Sequence, residues 1–297
     1  MPLPVDEKTV ETSKALAETL QSIFGPHPGF RPAHAKGALL TGTFHPTPAA
    51  AALSRASHFA LPSTNVTARF SSSGGIPELP DTDPNGNPRG LAVRFHLPDS
   101  PTGRRVHTDI IAHSVDGFPG TTGTDALSFF QSLKNGTVGS SLETHPKAAH
   151  FVGLPKPFPE SFGREQYFAV NAAVRYRIVP TNGVRHLTDE VVKTRPEDYL
   201  FAGLREGLPV EMKLVAQVGD VNKGDKTDDN TAKWPEDREV VELGVIKLVE
   251  VVGEGESKEE QRTIVFDPIP HDPLLEVRAG VYLISGRERR AACPVGH

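Results

Sequence analysis

Two short segments near opposite ends of the chain carry residues whose types and spacing suit chemistry. His34 follows Arg31 by three positions, and an imidazole can serve as a general acid or base. Tyr282 follows Arg278 by four positions, and residues four apart share one face of a helix. The guanidinium of Arg278 would then favour the phenolate form of Tyr282. Since a phenolate can hold ferric haem as an axial ligand, Tyr282 is a candidate metal ligand.

Each of these residues also has an ordinary interpretation. A histidine followed by Ala-Lys-Gly is often a surface or partly buried side chain. A tyrosine on a helix is usually a core residue with its hydroxyl in water. The arginines after Tyr282 are equally compatible with a basic helix end, which the helix dipole favours; they are Arg287, Arg289 and Arg290.

A further pair of polar residues lies in a segment that reads as a strand. Arg69 and Ser71 alternate with Phe70, so they project to the same side. On a solvated face they need no partner, whereas on a covered face each one does. In the second case Arg69 would pair with a ligand carboxylate, and Ser71 would hydrogen-bond His34.

Composition and termini exclude several classes of protein. The chain has 297 residues, a net charge of −5 and one cysteine, Cys293, so neither a nucleic-acid partner nor an internal disulfide is expected. Neither a secretory signal nor an apolar run of about 20 residues is present, which predicts a cytoplasmic protein without a membrane span. Nucleotide-binding glycine loops, zinc spacings and the Gly-x-Ser-x-Gly elbow are also missing from the sequence.

The pattern along the chain predicts an α+β fold in one domain, residues 1–297, with a β-barrel or strongly curled sheet between helices. An amphipathic helix is expected over 6–24, within an N-terminal helical region 1–26. A short helix over 125–133 would be capped by Thr124 or Asp125, 146–162 would be irregular, and a last helix would run from His271 to about Arg290. Residues 291–297 are expected to be a flexible tail. The predicted strands lie within 38–44, 66–71, 90–96, 105–111, 166–180, 211–219 and 243–252.

Together these residues resemble the haem catalase superfamily. Each matching motif is weak alone, but the motifs occur in order from about residue 27 to 290, and the first and last carry opposite faces of a haem. The chain is much shorter than a full catalase, and HSVDGFP at 113–119 is similar to the small catalase-related peroxidases. The other matching segments are RPAHAKG at 31–37, GTF at 42–44, RFS at 69–71, PRGLAVRF at 88–95, TDI at 108–110, TAKWP at 231–235 and RAGVY at 278–282, followed by Arg289.

The resemblance implies a catalase-like antiparallel β-barrel that binds haem b, with a C-terminal helix carrying the iron ligand. Tyr282 would be that ligand, held as phenolate by Arg278. His34 would be the distal acid–base group, supported by Ser71. Phe129 matches the aromatic residue that stacks near the haem. The arginines expected to pair with the haem propionates are Arg31, Arg69 and Arg289.

Two positions depart from the family pattern. The family has an asparagine beside the distal histidine, whereas the best register here places Asp116 there and a second register places His113. Asp116 is therefore a candidate catalytic residue, although an ionised carboxylate accepts hydrogen bonds and donates none. Ala33 precedes His34 where valine is usual, which leaves more room above the iron. Both departures favour a peroxidase over efficient dismutation of hydrogen peroxide.

The expected activity is haem-dependent reduction of hydrogen peroxide or an organic peroxide by an organic electron donor, with weak catalase activity. Two alternatives stay open. One is a fatty-acid hydroperoxide isomerase of the allene oxide synthase type, which shares the fold and needs no donor. The other is a haem-binding protein without activity, although such a carrier needs no distal histidine. The sequence leaves a homodimer open.

Overall fold

Short alternating apolar stretches fold into the strands of a closed antiparallel barrel. The computed structural model describes residues 6–99, 106–170, 174–253, 259–261 and 263–268. Around the barrel the strand order is β1-β10-β9-β7-β6-β4-β3-β2, while β5 and β8 form a separate two-stranded sheet. The strands are β1 (Gly37–Pro46), β2 (Thr64–Ser72), β3 (Arg89–Leu97), β4 (Val106–His113), β5 (Phe158–Pro159), β6 (Tyr167–Val170), β7 (Val174–Pro180), β8 (His186–Leu187), β9 (Val210–Val218) and β10 (Val240–Val251).

Helices lie around this barrel, so the α+β class predicted from the sequence is confirmed. The first helix carries Asp6 as its N-cap, whose carboxylate accepts from the amide of Thr9, and it packs against the fourth helix. The helices are α1 (Glu7–Phe24), α2 (Pro48–Leu53), α3 (Ser57–Ala60), α4 (Gly123–Lys134), α5 (Val138–Thr144), α6 (Pro146–Gly153), α7 (Asp189–Val192) and α8 (Tyr199–Ala202).

Every second residue of each strand points into the barrel, and these inward residues are mostly apolar. Phe70, Leu91 and Ala112 are register partners on β2, β3 and β4, and each is at most 2% exposed. Their neighbours along each strand therefore lie on the outer face. On β2 the outer face is also covered, since every residue from 66 to 72 is buried. The covered outer face of β2 is thus the place where polar side chains need partners.

Two segments outside the barrel strands cover this face. The connection between α1 and β1 is held to the end of β2, where the amides of His34 and Ala35 donate to the carbonyls of Ser73 and Gly74, both at 3.0 Å. The described residues near the end of the chain lie over the same side. Arg94 on β3 donates to the carbonyl of Val265. These two covering segments bring residues that are distant in sequence onto one side of the barrel.

Most of the predicted elements are found, with two corrections. The cap of α4 is Thr122, a few residues before the predicted Thr124 or Asp125, because Thr122 and Asp125 form a reciprocal capping box. The stretch 146–162 was expected to be irregular on account of its prolines, but Pro146 stands at the first turn of α6, where proline is tolerated. The predicted final helix and tail lie outside the described residues. Among the described helices, none is long and apolar enough to cross a membrane.

Candidate active site

A row of cross-strand partners on the outer face defines the site. Ser71 on β2 is opposite Gly90 on β3, and Gly90 is opposite His113 on β4. Residues directly opposite each other point to the same face of a sheet. The row is one position along from the interior partners Phe70 and Leu91, so Ser71 and His113 project outward at the end of their strands.

His34 lies over this row and is held by both its backbone and its ring. Its Nδ1 is 3.0 Å from the hydroxyl oxygen of Ser71. Its φ is +54°, in the left-handed region that side chains other than glycine seldom adopt. Such a conformation costs on the order of 1–3 kcal/mol and persists only where the surroundings enforce it. The hydrogen bond to Ser71 leaves Nε2 as the nitrogen available to a ligand.

The glycine at position 90 makes this contact sterically feasible. A Cβ at Gly90 would lie 2.6 Å from Ser71 Oγ and 2.9 Å from His34 Nδ1, distances that carbon atoms do not tolerate. The imidazole and the hydroxyl therefore occupy the space that a side chain at this position would take. Because the sheet has no side chain here, the ring of His34 can rest directly on the strand.

The surroundings of His34 keep its imidazole neutral. Burial, followed by the nearby Arg69, His113 and Arg31, lowers the pKa of His34 from 6.5 to about 3. The residue nevertheless retains some accessible surface. Its ring is therefore largely enclosed by protein, and we call the space beside it the recess. At neutral pH His34 is consequently a proton acceptor.

Two arginines next to His34 form a cationic wall that has no negative partner among the described residues. Arg69, which is 4% exposed, donates to the carbonyl of His34 at 2.9 Å and to Gln261 at 2.8 Å. Arg31 donates to the carbonyl of Ile264 at 2.6 Å. Burial and the proximity of Arg31 lower the pKa of Arg69 to about 9. Within the described part of the chain, both guanidinium groups meet only neutral acceptors, which favours an anionic ligand beside them.

A second glycine creates the space for this wall. A Cβ at Gly37 would collide with Cζ and Nη2 of Arg69. Gly37 is the cross-strand partner of Ser71, so the guanidinium of Arg69 folds over the sheet beside the row that carries His34. The anionic ligand and the proton acceptor would therefore be neighbours.

His113 adds a second imidazole to the recess. Its Nδ1 is buried and meets no partner among the described residues. Burial lowers the pKa of His113 from 6.5 to about 4, and Asp116 acts in the opposite direction. The ring packs edge-on against Phe118, with a centroid separation of 6.1 Å. His113 thus lies in a largely apolar setting beside His34.

Asp116, the residue that the best register places beside His34, contacts an arginine. Its Oδ1 is 3.7 Å from Nη1 of Arg175, a side chain that is 6% exposed. The charges that act on His34 come from Arg69, His113 and Arg31. Of the two registers that the sequence left open, the geometry favours His113 as the neighbour of the candidate distal histidine. Asp116 instead influences His113 and balances Arg175.

Phe129 reaches the site through a series of aromatic contacts. It is 6% exposed on α4 and contacts Phe151 with a centroid separation of 6.1 Å. Phe151 contacts Phe118 at 6.2 Å, and Phe118 contacts His113. Phe129 also lines a cavity of about 280 Å³ between α4 and the two following helices. The aromatic wall therefore extends from the recess to this cavity.

The remaining predicted site residues lie outside the described residues; they are Arg278, Tyr282 and Arg289. The residues that are described nonetheless fit a haem. Two adjacent cations that meet no carboxylate in the described part of the chain suit its propionates, and a neutral imidazole suits its distal face. Among the described residues there is no cluster of three or more histidine, cysteine, aspartate or glutamate side chains that could hold a bare metal ion.

Reasoning from the sequence missed the roles of Gly37 and Gly90. Both occur in the motifs that carry the resemblance, but a glycine in a strand indicates only that something approaches closely, without naming what. His113 appeared only as the alternative to Asp116. Its position opposite Gly90 depends on the strand register, which the sequence alone does not give.

The chain is similar in sequence to two catalase-related peroxidases. A catalase-related peroxidase of Synechococcus elongatus is 29% identical over 310 residues, covering 94% of this chain and 88% of the relative. A catalase-related peroxidase of Mycolicibacterium paratuberculosis is 28% identical over 313 residues, covering 93% of this chain and 96% of the relative. No protein-family model matches the chain.

Solved catalases share the fold. A fungal catalase superimposes with a TM-score of 0.69 at 18% identity, over 92% of this chain and 59% of that one. Catalase A from Saccharomyces cerevisiae gives a TM-score of 0.69 at 19% identity, over 95% of this chain and 62% of that one. The chain thus spans about three fifths of the length of the solved catalases that it matches.

Proposed function

Because the chain belongs to the haem catalase superfamily, among its small catalase-related peroxidases, we propose that it is a haem-dependent peroxidase. It is an oxidoreductase that acts on peroxide, and the proposed reductant is an organic electron donor. The observation that carries this proposal is the imidazole of His34, hydrogen-bonded to Ser71 beside the buried Arg69 and the half-buried Arg31.

The chain's own residues supply proton transfer. His34 Nε2 accepts the hydroxyl proton of a bound peroxide, so an O–H bond breaks, an N–H bond forms, and the electron pair stays on oxygen. The imidazole then returns this proton to the other oxygen as the O–O bond breaks. Ser71 holds the ring in one orientation throughout. Haem, when bound, would supply the two electrons that this cleavage consumes.

The cofactor would be held from several sides. Arg31 and Arg69 would pair with its propionates, which supply the negative charge that these guanidinium groups lack among the described residues. Phe129 would contribute to the aromatic wall of the site. On the opposite face Tyr282 would be the iron ligand, supported by Arg278, with Arg289 as a third propionate partner.

The test compares two reactions of the haem-reconstituted full chain. One assay supplies hydrogen peroxide with a phenolic dye, and the other supplies a fatty-acid hydroperoxide without a donor. We expect dye oxidation, slow oxygen release from hydrogen peroxide alone, and no isomerisation. His34→Gln should lower kcat/KM for dye oxidation by about 10²- to 10⁴-fold, the usual contribution of a general acid–base group.

His150→Gln is the matched control, since His150 is exposed on α6. It should leave dye oxidation unchanged. A chain that binds haem but converts the fatty-acid hydroperoxide without consuming dye would be an isomerase instead. Failure to consume any peroxide after haem binding would refute the proposed activity.

A further inference from the structure

The mechanism above leaves one imidazole of the recess without a role. His113 is the last residue of β4, and its partner across the strands is Gly90. A Cβ on Gly90 would lie 2.9 Å from His34 Nδ1, so the ring of His34 rests on the residue next to His113. Directly opposite residues are only about 5 Å apart between their Cα atoms. The two imidazoles are therefore neighbours across one strand.

Among the described residues, the elements packed around His113 give its ring no fixed proton partner. On β6 the register partner is Phe168, which is apolar, and Phe118 packs against the ring. The turn after β4 contributes Asp116, whose carboxylate is already engaged by Arg175. Its buried Nδ1 meets no donor or acceptor in the described part of the chain, and an unpaired buried nitrogen is costly. An arrangement of this kind suits a nitrogen that serves a ligand.

We propose that His113 is a second acid–base group of this recess, and that the two imidazoles together hold at most one proton. The reason is geometric, since His34 rests on Gly90 and His113 is the strand partner of Gly90. Two cationic rings this close, enclosed by protein and beside Arg69, would repel each other strongly. The first proton to enter therefore excludes the second.

The charges around the pair support this arrangement and decide which ring takes the proton. Asp116 acts to raise the pKa of His113, whereas Arg69 and Arg31 act to lower that of His34. His113 is therefore the ring that takes the single proton, and its charge then opposes protonation of His34. At neutral pH both rings are uncharged, and each can accept a proton from a ligand.

The consequence for catalysis rests on the proposed function. A peroxide bound in the recess could give its hydroxyl proton to either ring; the O–H bond breaks, an N–H bond forms, and the electron pair remains on oxygen. Removing His34 alone would then leave a second acceptor in place. We expect His34→Gln to retain about ten times the peroxidase kcat/KM of the His34→Gln/His113→Asn double variant.

The direct test follows the protonation of single imidazoles in the full chain, without added haem. Histidine labelled with ¹⁵N reports its protonation state and tautomer through long-range ¹H–¹⁵N spectra, and the single variants assign the two rings. In the unmodified chain both rings should stay neutral from pH 8 to about pH 5. In His113→Asn, His34 should take up its proton at a higher pH than before, whereas His150→Asn should leave it unchanged.

A second measurement covers the case in which acid unfolds the chain first. Between pH 5 and pH 6, the slope of unfolding free energy against pH counts the protons taken up on unfolding. His113→Asn should reduce this count by about one, because asparagine does not titrate. His150→Asn, the control at an exposed position, should leave the count unchanged. An unchanged titration of His34 together with an unchanged proton count would overturn the inference.

The outcomes separate this inference from the proposed function. Coupled imidazoles in a chain without peroxidase activity would uphold the pair and refute the activity. Active enzyme with independently titrating imidazoles would refute the pair alone. Equal activity in His34→Gln and in the double variant would show that His113 takes no proton from the substrate.

Discussion

Substituting alanine for Gly90 tests the steric basis of the site. The added methyl group would lie 2.6 Å from Ser71 Oγ and 2.9 Å from His34 Nδ1, so both groups must move by several tenths of an ångström. Overpacking of this kind costs about 1–3 kcal/mol. Loss of the His34–Ser71 hydrogen bond adds about 0.5–1.5 kcal/mol. The variant should therefore be less stable by about 1.5–4.5 kcal/mol.

Urea unfolding of the full chain measures this loss, and Gly139→Ala is the matched control. Gly139 lies on α5, where a Cβ would meet nothing within 4 Å. The same chemical change there should stabilise the chain by about 0.4–1 kcal/mol, because alanine reduces the entropy of the unfolded state. The haem-reconstituted Gly90→Ala variant should also lose about 10²-fold in kcat/KM, the effect of displacing a catalytic group by about 1 Å.

The double variant Ser71→Ala/Gly90→Ala identifies which neighbour causes the loss. Removing the hydroxyl relieves the shorter of the two contacts, so the two substitutions should cost less together than the sum of their separate effects. If Gly90→Ala unfolds at the same urea concentration as the unmodified chain, with unchanged kcat/KM, then His34 does not rest on Gly90. The description of the recess would then be wrong.

Three further predictions concern pH and the cofactor. Because the pKa values of His34 and His113 are depressed, the unfolded chain binds more protons than the folded chain between about pH 4 and pH 6.5. The free energy of unfolding should therefore rise with pH there, by up to about 1.4 kcal/mol per pH unit for each ring, and level off above about pH 6.5. Urea unfolding at several pH values would check this. Arg69→Met should weaken haem binding in a spectrophotometric titration by about tenfold, whereas an equal loss in the control Arg185→Met, at an exposed ion pair, would refute a specific role. Tyr282→Phe should abolish or grossly alter the Soret band, and an unchanged spectrum would remove Tyr282 as the iron ligand.

The strands were predictable because the barrel obeys local rules. Alternation of apolar and polar residues marks β2 and β3. The prediction failed where a local signal had two meanings. Pro146 was interpreted as a break, although the first turn of a helix accepts proline because its amide needs no partner there.

In the candidate site, too, some contacts could be predicted from the sequence and others could not. His34 and Ser71 were predicted to meet, and their nitrogen and oxygen are 3.0 Å apart. The choice between Asp116 and His113 could not be made from spacing alone, because a shift of register changes which residue faces the recess. The pairing of Gly90 with His113 favours His113, since it fixes where β4 ends and the turn begins.

By itself, the sequence determined the barrel, the resemblance to catalases and the residue types of the recess, because these depend on local periodicity and on motifs in a fixed order. Only the tertiary structure decided which charges surround His34. Its neighbours Arg69 and His113 are 35 and 79 positions away along the chain. A pKa depends on distance through space and on burial, neither of which is encoded in sequence spacing. The acid–base character of the recess therefore arises from the folding of β1 to β4 beneath the segment that carries His34.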